Sequence, residues 1–553
     1  MNGVKKMRDV LYFLPLNRTN ILFDFIDRFT AKRFCEPDRL VVRVRSSSPM
    51  KKLDFKQIEQ DLSTVFEEGS FNYINLVSSI LFGLIFQIIA ARILGPSDYG
   101  VFTILYAIYW LLTSVATFGL KIGATRYVSQ YRQGKRFRSL LWTTLLFTTV
   151  ASGALFLATL LFPNVVETVY NHPKLTALLP LIGLLVIPKS IYTVFHGVIR
   201  GLKKSFMAGF LNTTLYGALR IVLFLLLVYL LSMGVDGVIY TDLVLNILII
   251  GIAVYYITTW LERPIFPVEL DSFSSVSRDV LMGSAFFIVI GLSQKINIIA
   301  DKLILGGFVS SSMVGIYAVS AKIGRSFSTL INPIKNIFYP MAADLYDSDR
   351  MEALEEITTI LFRWMFLLLS FGSLGFLFYG EEVLLLLFGA EYAEGYVLLI
   401  ILVAGFSIMK LLSIPGLILE MTDRQDISSY YALGFVLTNI VANLLFIYLF
   451  GLIGAAFATA VSGILKEGMK LLHTYSIYGI WPINRSLIRT TGILLITAGC
   501  YTALTFVLPA ALYSMFIAYV VTGLLGLALI YGFDYRREDR MVVRLTGKYL
   551  FPS

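Results

Sequence analysis

Cysteine, histidine and charge are all scarce in this chain of 553 residues. The two cysteines, Cys35 and Cys500, lie far apart and build no disulfide framework. The three histidines, His172, His196 and His473, follow no metal-ligand spacing, so neither a metal nor a cofactor is expected. No Gly-x-x-x-x-Gly-Lys-[Ser/Thr] loop is present, which argues against ATP hydrolysis by this chain. Charged residues make up 15% of the total, where a soluble domain carries about a quarter. Hydrophobic residues fill the gap at 57%, with a mean hydropathy of +0.76.

Such a chain is mostly membrane spans. A span needs about 20 largely apolar residues, and the hydrophobic runs give about fourteen, from 71–94 and 100–120 to 490–508 and 513–533. The sequence therefore predicts an all-α polytopic membrane protein. Lys and Arg collect in cytoplasmic loops. Here they cluster after the second span (Lys121, Arg126, Arg132, Lys135, Arg136, Arg138), after the fourth (Arg200, Lys203, Lys204) and in the final tail (Arg536, Arg537, Arg540, Arg544, Lys548). The opposite loops are short and hold Glu167, Glu381, Glu382, Glu391 and Glu394. An even number of spans with both termini cytoplasmic fits this pattern. The net charge of +10 is then explained by topology and anionic lipid, without nucleic acid.

Residues 1–70 are polar and basic and read as a cytoplasmic tail, as do residues 534–553. Met50, Lys51 and Lys52, followed by an amphipathic stretch to Glu68, resemble a natural start. Residues 1–49 are accordingly expected to be either a poorly ordered tail or a start-site error.

Charge inside the spans is the most telling presence. Lys189 follows Pro188 in the fourth span, Arg220 sits midway along the fifth, Lys295 along the seventh and Lys410 along the tenth. In the eighth, Lys322, Arg325, Thr329, Asn332 and Asn336 recur every three or four residues as a polar stripe. Each Lys or Arg costs roughly 2.5–3.5 kcal/mol at the bilayer centre. These residues must therefore line a wet cavity, and their sign suits an anion. Lys189, Arg220, Lys295, Lys322, Arg325 and Lys410 are the candidate substrate-binding set. Asp242, Asp301, Lys302 and Glu420 could bind a coupling ion or form ion pairs, and for Asp301 and Lys302 a local pair competes evenly with substrate contact.

The chain also repeats itself. Leu94-Gly95 with Tyr99-Gly100-Val101-Phe102 is echoed by Leu305-Gly306 with Val314-Gly315-Ile316-Tyr317 about 215 residues later. Gly234-Val235-Asp236-Gly237-Val238 is echoed by Gly451-Leu452-Ile453-Gly454-Ala455, and Lys189 by Lys410 at an offset of about 221. Copies of six spans run parallel, related by an axis along the membrane normal. The expected lobes are 71–261 and 281–472, with two additional helices in 490–533.

Arg92-Ile93-Leu94-Gly95-Pro96-Ser97-Asp98-Tyr99-Gly100 resembles the opening signature of Wzx-type polysaccharide-biosynthesis flippases. Asp301-Lys302-Leu303-Ile304-Leu305-Gly306, Gly315-Ile316-Tyr317-Ala318 and Gly451 to Ala460 resemble their later signatures, so the likeness covers about residues 65–535. It implies the multidrug, oligosaccharidyl-lipid and polysaccharide exporter superfamily, with a MATE-like pair of six-helix lobes around a central cavity. The implied function is translocation of a polyprenyl-(pyro)phosphate-linked oligosaccharide across the plasma membrane by alternating access, for cell-surface polysaccharide or glycoprotein biosynthesis. Partners would be that substrate, membrane lipids and a glycan polymerase or glycosyltransferase. A proton- or sodium-coupled multidrug antiporter and a lipid II-type flippase stay open as alternatives. A membrane glycosyltransferase or polymerase, which would need a sizeable outer domain, fits less well, so the chain is not expected to be an enzyme.

Overall fold

The computed structural model describes residues 55–131, 135–260, 273–422, 424–483, 485–507 and 512–533. The stretches 1–49 and 534–553, with Cys35, lie outside these residues. Among the described residues every regular element is helical.

The first helix, α1 (Phe55–Thr117), is a hairpin of two legs. Gly95 takes φ 70° and ψ 170°, a conformation a β-carbon would strain, and Pro96 has no N–H to continue the first leg. The fold-back is visible in the rings of Phe86 and Phe102, 6.4 Å apart; one straight helix would separate them by about 24 Å. A positive-φ glycine, here without a following proline, also breaks α13 (Gln425–Tyr478) at Gly451, with φ 58° and ψ −131°. Across that hairpin the Asn439 amide donates to Ser462 Oγ at 2.9 Å.

Between the hairpins run α2 (Leu120–Gln130), α3 (Lys135–Leu161), α4 (Pro163–Tyr170), α5 (Pro173–Gly201), α6 (Ser205–Leu230), α7 (Val235–Tyr255), α8 (Phe273–Gly306), α9 (Ser311–Ser328), α10 (Asn332–Asp347), α11 (Met351–Phe388) and α12 (Tyr396–Met421). After α13 come α14 (Arg485–Val507) and α15 (Leu512–Phe533). Nine helices among the described residues are long and apolar enough to cross a membrane. With Leu226, Val441 and Leu495 of these helices exposed, this is a multi-pass membrane protein. In α6 the wider π-helical turns Phe210–Leu215 and Leu225–Leu230 flank the regular stretch that carries Arg220. Between α9 and α10 a 3₁₀ turn, Thr329–Ile331, precedes Pro333 in the first turn of α10. The tighter winding interrupts the continuous α-helix that the expected Lys322-to-Asn336 stripe assumes.

The two repeated signatures meet at the end of the bundle that carries Gly95. A β-carbon on Gly100 would lie 2.5 Å from the Ser311 carbonyl carbon and 3.1 Å from the Gly315 nitrogen. Reciprocally, one on Gly315 would lie 3.1 Å from the Gly100 nitrogen. Apolar burial gives helices no mutual attraction inside a bilayer, so such close backbone approach of small residues supplies the packing. Around this contact Ser97 Oγ is 3.3 Å from Ser311 Oγ, and Tyr392 donates to the Ala91 carbonyl at 3.0 Å. Arg92 Nε adds a bond to the Leu387 carbonyl at 2.8 Å. A continuous core that includes Tyr99, Ile182, Val238, Tyr317 and Leu402 lies behind it.

A cationic cavity lined with aromatic rings

Below the Gly100–Gly315 contact is a cavity of about 490 Å³. The second leg of α1 supplies Tyr99, Phe102, Tyr106 and Tyr109, which follow one another at three- and four-residue steps on one helix face, and Trp110, four residues after Tyr106. Opposite stand Lys189 from α5, Asn212, Tyr216 and Arg220 from α6, and Asp242 from α7. Lys302 from α8 and Lys322 from α9 complete the wall.

Each cation is held differently. Lys189, only 8% exposed, has its ammonium 5.4 Å from the Trp110 ring centroid, 4.8 Å from Tyr192 and 5.0 Å from Tyr216. Lys295 lies over the same Trp110 ring at 4.3 Å, so one indole carries two ammonium groups. Such contacts yield about 0.5–2 kcal/mol each, less than a full counter-ion would in this setting. Among the described residues no carboxylate forms an ion pair with Lys189, Lys295, Lys302 or Lys322.

Arg220 is the exception. Its Nη2 donates to Asp242 Oδ2 at 2.6 Å, and its guanidinium lies 3.8 Å over the Phe86 ring. Asp242, 1% exposed, also accepts from Tyr216 Oη at 3.0 Å and from Tyr106 Oη. The Asp242 main-chain carbonyl accepts from the Asn246 amide at 2.6 Å.

The remaining sequence candidates divide between this cavity and the second half of the chain. The Asp301 carboxylate is taken up by other donors than the Lys302 ammonium: its Oδ2 accepts from Tyr317 at 2.9 Å, and its Oδ1 accepts from the Lys302 backbone N–H, also at 2.9 Å. The two residues form no side-chain ion pair. Arg325 stacks on Phe406 at 5.1 Å and does not line the cavity, and neither does Lys410, the counterpart of Lys189 in the repeat. Glu420 is bound to Lys470 at 2.6 Å, Tyr339 at 2.9 Å and Ser428 at 3.1 Å. Lys470 in turn lies 3.9 Å from Glu467.

Sequence reasoning missed the aromatic wall and the Glu420–Lys470 pair. The wall carried a signal, since Tyr99, Phe102, Tyr106 and Tyr109 repeat at helical steps. The pair gave none, because fifty residues and a hairpin separate its members.

The described residues thus form a multi-pass helical bundle with a cation-rich cavity beneath the contact of the Gly100 and Gly315 signatures. Two solved structures share the fold. The lipid II flippase MurJ in an inward closed conformation superposes with a TM-score of 0.68 at 14% identity, over 84% of this chain and 99% of its own. An inward-facing multidrug resistance MATE family transporter gives 0.59 at 15% identity, over 73% and 94%. The profile of the family described as "Polysaccharide biosynthesis protein" matches residues 88–397, more than half of the chain, which belongs to that family. Among its relatives are two proteins of Haloferax volcanii. One, "Probable flippase AglR", is 28% identical over 51% of this chain. The other, "Probable low-salt glycan biosynthesis flippase Agl15", is 22% identical over 67% of it. The matched region spans 58% of the first relative's length and 75% of the second's. Both are named as flippases, not as enzymes.

Proposed function

We propose that this protein is a flippase that carries a polyprenyl-(pyro)phosphate-linked oligosaccharide across the plasma membrane, from the cytoplasmic to the outer leaflet. A glycan cannot cross hydrocarbon without leaving its hydrogen bonds unmade. A protein that moves it must hide the sugar and phosphate in a polar cleft while the polyprenyl tail stays in lipid. The observation that carries this reading is the charge balance of the cavity: Lys189, Lys302 and Lys322 line it without ion-pair partners among the described residues, Lys295, outside the lining, sits over its Trp110, and Asp242 is the one carboxylate among the described lining residues. Lysine supplies point charges that suit phosphate oxygens, and the aromatic wall offers flat apolar faces to sugar rings. Cationic drugs would be repelled by the unpaired lysines, which disfavours the multidrug-antiporter alternative.

In this reading both termini are cytoplasmic, lobes 71–261 and 281–472 rock about the cavity, and 490–533 adds two helices, for about fourteen crossings. The Gly100–Gly315 contact closes the outer side. A glycosyltransferase or polymerase would consume the exported glycan. The test is Lys189→Met and Lys295→Met at matched expression, with surface glycan as the readout. Both variants are expected to insert and to lose export at least about tenfold, which corresponds to one lost contact of about 1.4 kcal/mol. Normal export by both would refute the cavity assignment.

A further inference from the structure

The charges of the cavity fall into two kinds, and the difference has a functional consequence. The lysines are unpaired, whereas the charge of Arg220 is already spent on Asp242 at 2.6 Å. We infer that Asp242 is an internal competitor for the substrate's anion: it holds Arg220 while the cavity is empty, yields it when a phosphate or carboxylate arrives, and takes it back to drive release. The inference rests on the flippase reading and assigns Asp242 as the residue that sets residence time.

Three features make the exchange physically reasonable. First, Arg220 has binding capacity in reserve, because its Nε is buried with no hydrogen-bond partner. Second, Asp242 would not be left bare when Arg220 turns away, since Tyr106 and Tyr216 both donate to its carboxylate and stay with it. A buried carboxylate stripped of every donor would cost several kcal/mol, and two phenol hydroxyls remove much of that cost. Third, Arg220 lies over the face of Phe86 at 3.8 Å, so its guanidinium keeps a cation–π contact while its hydrogen bonds change partner. A cavity with only unpaired cations would bind a pyrophosphate tightly and release it slowly. One movable counter-ion restores balance, because it pays back the arginine's charge as the ligand departs.

The groups facing this exchange come from every neighbouring helix: Tyr106 from α1, Lys189 from α5, Tyr216 and Arg220 from α6, and Lys302 and Lys322 from α8 and α9. None of the others is a carboxylate, so Asp242 is the single competitor among the described residues that line the cavity.

The experiment measures two quantities on the full-length protein. In detergent, affinity for inorganic pyrophosphate and for a polyprenyl phosphate is titrated by calorimetry. In proteoliposomes, turnover of a polyprenyl-linked oligosaccharide is followed. Asp242→Asn should bind both anions about tenfold more tightly and turn over more slowly, and Asp242→Glu should restore both values toward wild type. Equal or weaker binding by a folded Asp242→Asn protein would overturn the inference. If that variant does not fold, the Tyr106→Phe/Tyr216→Phe double variant serves instead. Removing the two hydroxyls makes Asp242 costlier to part from Arg220, so anion affinity should fall, and unchanged affinity would overturn the inference. If wild type moves no glycolipid while Asp242→Asn still binds anions more tightly, the flippase reading fails and the exchange stands. If glycolipid moves and affinity does not respond to Asp242, the exchange alone fails.

Discussion

Replacing Gly100 by alanine should loosen the junction of the two repeats, and the size of the effect can be worked from the contact. The added carbon would sit 2.5 Å from the Ser311 carbonyl carbon, and the obstacle is backbone, which no rotamer change relieves. Carbon atoms pack at about 3.5–4.0 Å, so the second leg of α1 and the start of α9 must separate by about 1 Å or more. Overpacking of this kind costs about 1–3 kcal/mol. Under the alternating-access reading proposed above, it acts on one conformation alone, the one in which the Gly95 end is closed. The assay is a pair of cysteines at Ser97 and Ser311, whose hydroxyl oxygens are 3.3 Å apart, a separation from which a disulfide of about 2.05 Å can form with little movement. In the Ser97→Cys/Ser311→Cys background, oxidation should cross-link the two repeats readily and stop transport until the bond is reduced. Adding Gly100→Ala should slow cross-linking at least about fivefold, equivalent to about 1 kcal/mol at the junction. Unchanged cross-linking and unchanged thermal stability in the Gly100→Ala protein would refute the claim that this contact holds the end closed.

Other substitutions test other parts of the structure. Gly451→Ala forces a side chain into φ 58°, ψ −131° and should cost about 1–3 kcal/mol in thermal unfolding of the purified protein; an unchanged midpoint would contradict the hairpin geometry. Glu420→Gln leaves Lys470, 5% exposed, with only Glu467 at 3.9 Å, and should destabilise by about 1–2 kcal/mol, below the value for a fully buried pair because the Glu420 side chain is 32% exposed. Adding Lys470→Met should recover part of that loss, and strict additivity in the double-mutant cycle would show that the pair does not couple.

Much of this architecture was legible in the chain because a membrane admits few solutions. Leu94-Gly95-Pro96 combines a residue that accepts positive φ with one that cannot donate a hydrogen bond, and the first hairpin turns there. Gly451 marks the second hairpin by its positive φ alone, with no proline after it. The cavity was legible in part. Lys189, Arg220, Lys302 and Lys322 stand out as charges in apolar helices, and the structure brings all four to one wall. What did not show was which of them are neutralised. The Arg220–Asp242 pair joins neighbouring helices twenty-two residues apart, and a helical wheel of either helix alone does not reveal it. The same holds for Glu420 and Lys470. The polar stripe expected from Lys322 to Asn336 assumed one continuous α-helix, whereas the 3₁₀ turn at Thr329–Ile331 changes the winding midway. Arg325 and Lys410 were grouped with the rest by charge, yet they lie off the cavity wall, because sequence gives the depth of a residue in the membrane far better than the helix face it occupies.

The most direct test of the central claim is translocation in proteoliposomes of a labelled polyprenyl-linked oligosaccharide, scored by accessibility of the glycan to an added glycan-cleaving enzyme, with efflux of a cationic dye measured on the same vesicles. The account predicts protein-dependent movement of the glycan, lost in Lys189→Met and Lys295→Met, with no dye efflux. Dye efflux driven by a proton or sodium gradient, with the glycan left in its original leaflet, would contradict it.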